Sequence, residues 1–138
     1  MSTADRTLTD RDYRALARFR TGLRRFLAFS EAAAKAANIT PAQHQLLLAI
    51  RGHDADTPPS VTDVSEALNR RRHSTVELIG RAEARGLLTQ TQDPQDLRRR
   101  LLQLTPEGRR IIEDLSAIHR RELQSFRADL TQILDDLA

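Results

Sequence analysis

Hydrophobic residues recur at three- and four-residue spacing near both ends of the chain, which is the pattern of amphipathic helices. The first such stretch covers residues 10–36, with Asp10 as the candidate N-cap and Asn38 at its C-terminal end. The second begins at Thr105-Pro106 and stays apolar to the end of the chain. Because these two apolar faces are too extensive for one small domain to cover, we expect them to pair in a homodimer.

Two shorter helices are predicted after the first stretch. Thr40-Pro41 opens one of them, because Thr is a good N-cap and Pro is favoured at the first helical position, and Gly52 ends it. After a polar loop, Thr62 is the predicted N-cap of a helix over Asp63–Leu68. The residues expected to face a core are Gln43, Leu46, Leu47, Ile50, Val64, Ala67 and Leu68.

A turn over residues 69–71 leads into a further helix over residues 72–85, which Gly86 terminates. Ser74 and Glu77 have the spacing of a capping box, which would start the regular helix at Ser74 instead. The buried face is predicted to hold Thr75, Leu78, Ile79 and Ala82, and the opposite face Arg72, His73, Glu77, Gly80 and Arg81.

After Gly86 the pattern changes to that of a β-hairpin. Residues 87–91 and 100–104 have the composition of strands, and Asp93-Pro94-Gln95-Asp96 between them is a turn sequence. Arg98-Arg99-Arg100 would then give the hairpin an Arg-rich tip. The predicted fold class is therefore mainly α with one small β-hairpin.

Composition narrows the class of protein further. A chain of 138 residues with 39% hydrophobic residues fits one domain with a modest core. It has no apolar run long enough to span a membrane, and its polar N-terminus lacks the apolar segment of a secretory signal, so we expect a cytoplasmic protein without a membrane partner. The absence of Cys and the lack of metal-ligand spacing among the four His lead us to expect no metal or cofactor.

The positive charge is concentrated in one internal segment. Residues 70–110 hold ten Arg against five acidic residues, whereas residues 37–69 and 111–138 each carry a net charge of −3. A GC-rich genome would explain a preference for Arg over Lys, but it would not explain the clustering. Because Arg forms bidentate hydrogen bonds with phosphate and guanine, the cluster favours a nucleic-acid partner.

Helix, turn, helix and hairpin follow one another in the order of a winged helix-turn-helix, and several stretches resemble the MarR (multiple antibiotic resistance regulator) family. These are residues 39–43 (ITPAQ), 61–68 (VTDVSEAL) and 73–87. The most specific is Asp96-Leu97-Arg98 followed by residues 104–108 (LTPEG), because in that family Asp-x-Arg precedes Leu-Thr-x-x-Gly at this spacing. The resemblance extends from about residue 10 to the C-terminus.

The resemblance implies a homodimeric transcription regulator, with repression the expected mode, that binds a pseudopalindromic operator in double-stranded DNA. Residues 1–38 would be an N-terminal dimerisation helix, residues 39–108 the winged helix-turn-helix DNA-binding lobe, and residues 109–138 C-terminal dimerisation helices. The recognition helix, 72–85, would enter the major groove. Arg98 would reach the minor groove from the wing, with Asp96 as its ion-pair partner.

The residues assigned to DNA contact are Arg70, Arg71, Arg72, His73, Ser74, Thr75, Glu77, Arg81, Asp96, Arg98 and Arg99. Glu77 departs from the family, in which a basic residue is common at its position, and Gly80 stands where an acidic residue is common. Glu77 has two interpretations, an acceptor for a cytosine amino group or a helix-capping carboxylate. These departures bear on base preference and not on the fold.

The resemblance also suggests a small-molecule effector, with aromatic carboxylates as the class, bound between the dimerisation region and the DNA-binding lobe. The residues leave open whether such a ligand acts here. An enzyme is not expected, since the chain shows no paired carboxylates, metal cluster, phosphate loop or nucleophile motif. The alternative function is a winged-helix protein–protein adaptor without DNA binding, against which the Arg-rich recognition helix and wing argue.

Overall fold

The computed structural model describes residues 7–137. In chain order the elements are α1 (Asp10–Ala36), α2 (Pro41–Arg51), α3 (Val61–Ala67), α4 (Arg72–Ala84), β1 (Leu88–Asp93), β2 (Asp96–Leu104) and α5 (Pro106–Asp136). The strands form an antiparallel hairpin. This arrangement confirms the predicted fold class. The chain divides into a first unit, which combines the chain up to Ala32 with the chain from Ala117 onward, and a second unit, Ala33–Ser116.

Three helices end at a residue in the left-handed backbone conformation. These residues are Asn38, Asn69 and Gly86, with φ of 60°, 50° and 75°. The next amide donates to a carbonyl oxygen five residues back in each case, as Ile39 does to Ala34 at 3.1 Å, which is the Schellman motif. Asn and Gly tolerate positive φ better than other residues, so the sequence itself encodes these ends, two of which were predicted.

The helix starts agree with prediction at Thr40 but not at Thr62. Thr40 forms a capping box at the start of α2. At α3 the N-cap is Ser60, whose hydroxyl accepts from the Asp63 amide at 3.1 Å while the Asp63 carboxylate accepts from the Ser60 amide at 2.9 Å. The chain is extended as far as Ser60 because this residue pairs with Leu101 of β2, so the helix starts directly after it.

The two long helices begin at Thr residues. Thr9 caps α1, in place of the predicted Asp10, because its hydroxyl accepts from the Asp12 amide at 3.2 Å and its amide donates to the Asp12 carboxylate at 2.9 Å. Thr105 caps α5 as predicted, accepting from the Gly108 amide at 3.1 Å. α5 then continues as one helix, where more than one C-terminal helix was expected.

The core of the second unit contains the predicted faces of α2 and α4. All eight residues predicted for those two faces are buried. On α3, Val61, Val64 and Ser65 form the buried stripe. The prediction that Ala67 is buried is wrong, because this residue lies outside that stripe and is exposed, and Leu68 is only half-buried.

Gly108 allows α5 to begin close against the chain segment that follows α4. A Cβ at Gly108 would collide with the carbonyl oxygen of Leu87. Thr105 fixes the same junction, because its amide donates to Leu87 O at 3.1 Å and its hydroxyl to Gly86 O at 2.5 Å. The Leu-Thr-x-x-Gly motif is therefore a packing motif that holds the base of the hairpin against α5.

In the first unit, α1 and α5 pack through small and aromatic side chains. The ring of Phe126 lies so close to Gly22 that a Cβ there would overlap it. The ring of His119 meets Phe29 edge-on with centroids 5.4 Å apart, and its Nε2 lies 2.8 Å from the hydroxyl of Ser30. His119, expected on a helix surface or at an interface, is thus a half-buried packing residue of this unit.

Candidate nucleic-acid interface

Two clusters of exposed Arg lie in the second unit. The first is Arg70–Arg72, in the turn between α3 and α4 and at the first residue of α4. The second is Arg98–Arg100. Because β2 begins at Asp96, the second cluster runs along the strand and not at the hairpin tip, which corrects the expectation of an Arg-rich tip.

The N-terminus of α4 has no side-chain cap. Arg71 is the N-cap and makes no capping hydrogen bond, and the predicted capping box at Ser74 does not form. The Ser74 hydroxyl instead accepts from Nη2 of Arg70 at 3.3 Å, so α4 begins at Arg72. Thr75 is fully buried and its hydroxyl donates to the carbonyl oxygen of Arg71 at 3.1 Å, so the prediction that Thr75 contacts DNA is wrong.

Arg72 is held in place by the neighbouring helix. Its Nη1 donates to the hydroxyl of Thr62 on α3 at 2.9 Å. A guanidinium carries five N–H donors, so this bond orients the group and leaves its other donors for a partner. A shallow depression of about 270 Å³ lies beside it, lined by Thr62, Ser65, Glu66, Asn69, Arg70 and Arg72. Preorientation of this kind lowers the entropic cost of binding.

The exposed face of α4 carries the predicted polar residues. His73, Glu77, Gly80 and Arg81 are all exposed. Val76 lies among them with 49% of its surface exposed, although it is not among the residues predicted to contact DNA. Its spacing from His73 and Gly80, three and four residues, was the sequence signal that places it on this face.

The hairpin Arg residues differ in their contacts. Asp96 accepts a hydrogen bond from the backbone amide of Arg98 at 3.1 Å, so it shapes the turn and does not pair with the guanidinium as expected. Among residues 7–137, the hairpin ion pairs belong to Arg99, whose Nη2 lies 3.7 Å from Asp63 on α3 and whose Nη1 lies 3.5 Å from Asp93. Arg99 therefore connects the hairpin to α3.

Two acidic residues hold this surface together. The backbone amide of Ser60 and, to a smaller extent, the charge of Arg99 hold the pKa of Asp63 below its usual value, so this carboxylate is available to Arg99 as an anion. Glu83 on α4 accepts from the backbone amide of Gln90 at 2.9 Å and from its side chain at 3.1 Å. These contacts fix the hairpin relative to α3 and α4.

A helix-turn-helix followed by a hairpin, with exposed Arg on both, is the architecture of winged helix-turn-helix DNA-binding proteins. Residues 37–99 match a sequence model of the MarR family. A search of curated protein sequences found no significant match.

Solved structures have the same fold. Bordetella bronchiseptica BpsR, described as regulated in its DNA binding by 6-hydroxynicotinic acid, is 29% identical over 84% of each chain, with a TM-score of 0.65. A mutant of S. aureus MepR bound to an oligodeoxyribonucleotide is 24% identical over 96% of this chain and 100% of that chain, with a TM-score of 0.71. AbsC, a MarR family transcriptional regulator from Streptomyces coelicolor, is 19% identical over 91% of this chain and 84% of that chain, with a TM-score of 0.73.

The sequence match and the shared fold place the chain in the MarR family of winged helix-turn-helix regulators. The protein is accordingly a DNA-binding transcription regulator, as the sequence predicted. The family is one of regulators and not of enzymes. None of the helices in the described part of the chain is long and apolar enough to cross a membrane.

Proposed function

We propose that the protein is a homodimeric repressor that binds a pseudopalindromic operator, with α4 in the major groove and Arg98 in the flanking minor groove. The observation that carries this proposal is the pair of exposed Arg clusters on α4 and β2 of one unit, with Arg72 preoriented by Thr62. A helix fits the major groove, and a narrow minor groove attracts Arg. In a twofold dimer the two α4 helices would lie about 34 Å apart, one helical turn of DNA.

The first unit supports the dimer part of the proposal. Large hydrophobic side chains on α1 and α5 are exposed in the single chain, which is unusual for a monomer. These residues are Leu8, Tyr13, Leu16, Phe19, Leu27, Leu123, Leu134 and Leu137. A twofold partner would bury the same surface on both subunits.

A salt titration tests the DNA-binding part. Wild type and Arg98→Ala are titrated against a duplex selected by the wild-type protein from a random library, at several salt concentrations. We expect the wild-type Kd to rise steeply with salt and Arg98→Ala to bind more weakly with a shallower slope. Arg121→Ala on α5 is the matched control and should bind like wild type. If no duplex is selected and binding shows no salt dependence, the adaptor function is correct instead.

A small-molecule effector belongs to the same proposal. BpsR is described as responding to 6-hydroxynicotinic acid, which is an aromatic carboxylate. The first unit of the present chain contains a cavity of about 520 Å³ between α1 and α5, and Arg25, Phe126 and Ile133 are in its lining. This size and mixed lining suit a small aromatic acid. Release of the selected duplex by 6-hydroxynicotinate, abolished in Arg25→Ala, is the expected result; release that persists in Arg25→Ala excludes this cavity.

A further inference from the structure

Gly80 occupies the middle of α4 without any packing reason in the described chain. It lies on the exposed face, and a Cβ built at this position meets no atom of the described residues within 4 Å. Glycine destabilises a helix interior relative to Ala, because its backbone loses more conformational freedom. The other helix-packing glycine of the second unit, Gly108, differs in that its Cβ would collide with the chain. The space at Gly80 therefore benefits something outside the chain.

Val76 lies one turn before Gly80 on the same face. It has 49% of its surface exposed, an unusual place for a β-branched apolar side chain on a face whose other members include His73, Glu77 and Arg81. Residues four apart on a helix are neighbours, so Val76 and Gly80 form one low, apolar strip along α4. We call this pair the Val76–Gly80 strip.

We infer that the Val76–Gly80 strip recognises the C5-methyl group of a thymine in each half-site. This inference rests on the proposed position of α4 in the major groove. The thymine methyl is the apolar group on the major-groove edge of the base pairs, and apolar side chains contact it. Without a side chain at Gly80, the α4 backbone approaches the bases closely enough for the methyl groups of Val76 to reach it. Val76 is then a specificity-determining residue that favours thymine without any hydrogen bond.

Replacing thymine by uracil tests the contact at Val76, because uracil lacks only the methyl group. Each thymine of a duplex selected by the wild-type protein is changed to uracil in turn, and Kd is measured for wild type and Val76→Ala. We expect one thymine per half-site at which uracil weakens wild-type binding about fourfold, the factor for one buried methyl-sized group. Val76→Ala should bind the two duplexes equally. Leu48→Ala removes an equally exposed side chain, 49%, from α2 and should keep the wild-type ratio.

Gly80→Ala tests the close approach, because a structural and a recognition role predict opposite results. The added methyl should raise the Tm, since it improves helix propensity, and should weaken operator binding by about tenfold or more through a clash with DNA. A higher Tm with unchanged binding would overturn the inference. So would a wild-type protein indifferent to every uracil, or a Val76→Ala protein that still prefers thymine. All three are read only if the wild type binds its selected duplex; failure at that step refutes the proposed function itself.

Discussion

Arg98 and Arg72 are single residues that we expect to do different work on DNA. Arg98→Ala should weaken binding to all duplexes alike and lower the salt slope by about one for each phosphate that is no longer neutralised, because a minor-groove Arg senses groove width more than base identity. Arg72→Ala should instead change the preference among operator variants by about 1–3 kcal/mol. Titration against a panel of operator mutants at several salt concentrations separates the two effects. If Arg98→Ala binds like wild type and Arg72→Ala weakens every sequence equally, these roles are assigned wrongly.

Thr62 is a residue-scale test of preorientation. Its hydroxyl accepts from Arg72 at 2.9 Å, so Thr62→Val, which keeps the shape and removes the acceptor, should reduce base discrimination in the same direction as Arg72→Ala but by less. Thr62→Ser retains the hydroxyl and is the matched control. The same operator panel provides the measurement. Equal discrimination by Thr62→Val and wild type would show that the bond to Arg72 does not matter for recognition.

At the scale of elements, the ends of α1 and α5 are joined through Asp136. Its carboxylate accepts from Arg11 at 2.8 Å, from Arg18, and from Gln132 at 3.0 Å, and these hydrogen bonds lower the pKa of Asp136 to about 2. Because the folded pKa lies below the usual value of about 4, the stabilisation is complete above about pH 4 and disappears as the pH falls through about 2.

Thermal unfolding checks this linkage. Asp136→Asn should lower the Tm at about pH 6, and the difference from wild type should shrink to nothing towards about pH 2. Added salt should also reduce the difference, since Arg11 and Arg18 are largely exposed and their charges are screened. A Tm difference that stays constant over this pH range would contradict the assignment.

For the molecule as a whole, the exposed apolar faces of α1 and α5 predict the oligomeric state. Leu123 and Leu134 are 50% and 60% exposed, so Leu123→Glu with Leu134→Glu should convert the dimer into monomers or aggregates. Ile133, which the sequence pattern also suggested as a target, is only 2% exposed and packs within its own subunit, so a charge there would test folding and not association. Sedimentation with circular dichroism distinguishes the two outcomes.

The control for that experiment lies on the hairpin. Leu97 is 68% exposed in the second unit, and Leu97→Glu should remain dimeric. A stable, monodisperse monomer of the native chain would refute the dimer at once, whatever the variants do.

Features that depend on one or two turns of chain were predictable from the amino-acid sequence alone. Thr40-Pro41 and Thr105-Pro106 start helices, Asn38 and Gly86 end them, and the periodicity of α2 and α4 selects the buried faces. These signals act between residues at most five apart, so the fold around them does not change them. The clustering of Arg and the wing motif likewise sufficed to predict the class of protein.

Contacts between residues distant in sequence became known only from the folded structure. Ser60 replaces Thr62 as the cap because it pairs with Leu101, and Arg99, not Arg98, finds carboxylates because Asp63 lies within reach across α3. Likewise, the structure shows that no atom of the described chain fills the space at Gly80. Local propensity is blind to such neighbours, because the free energy of each contact depends on which distant groups the folded chain brings together.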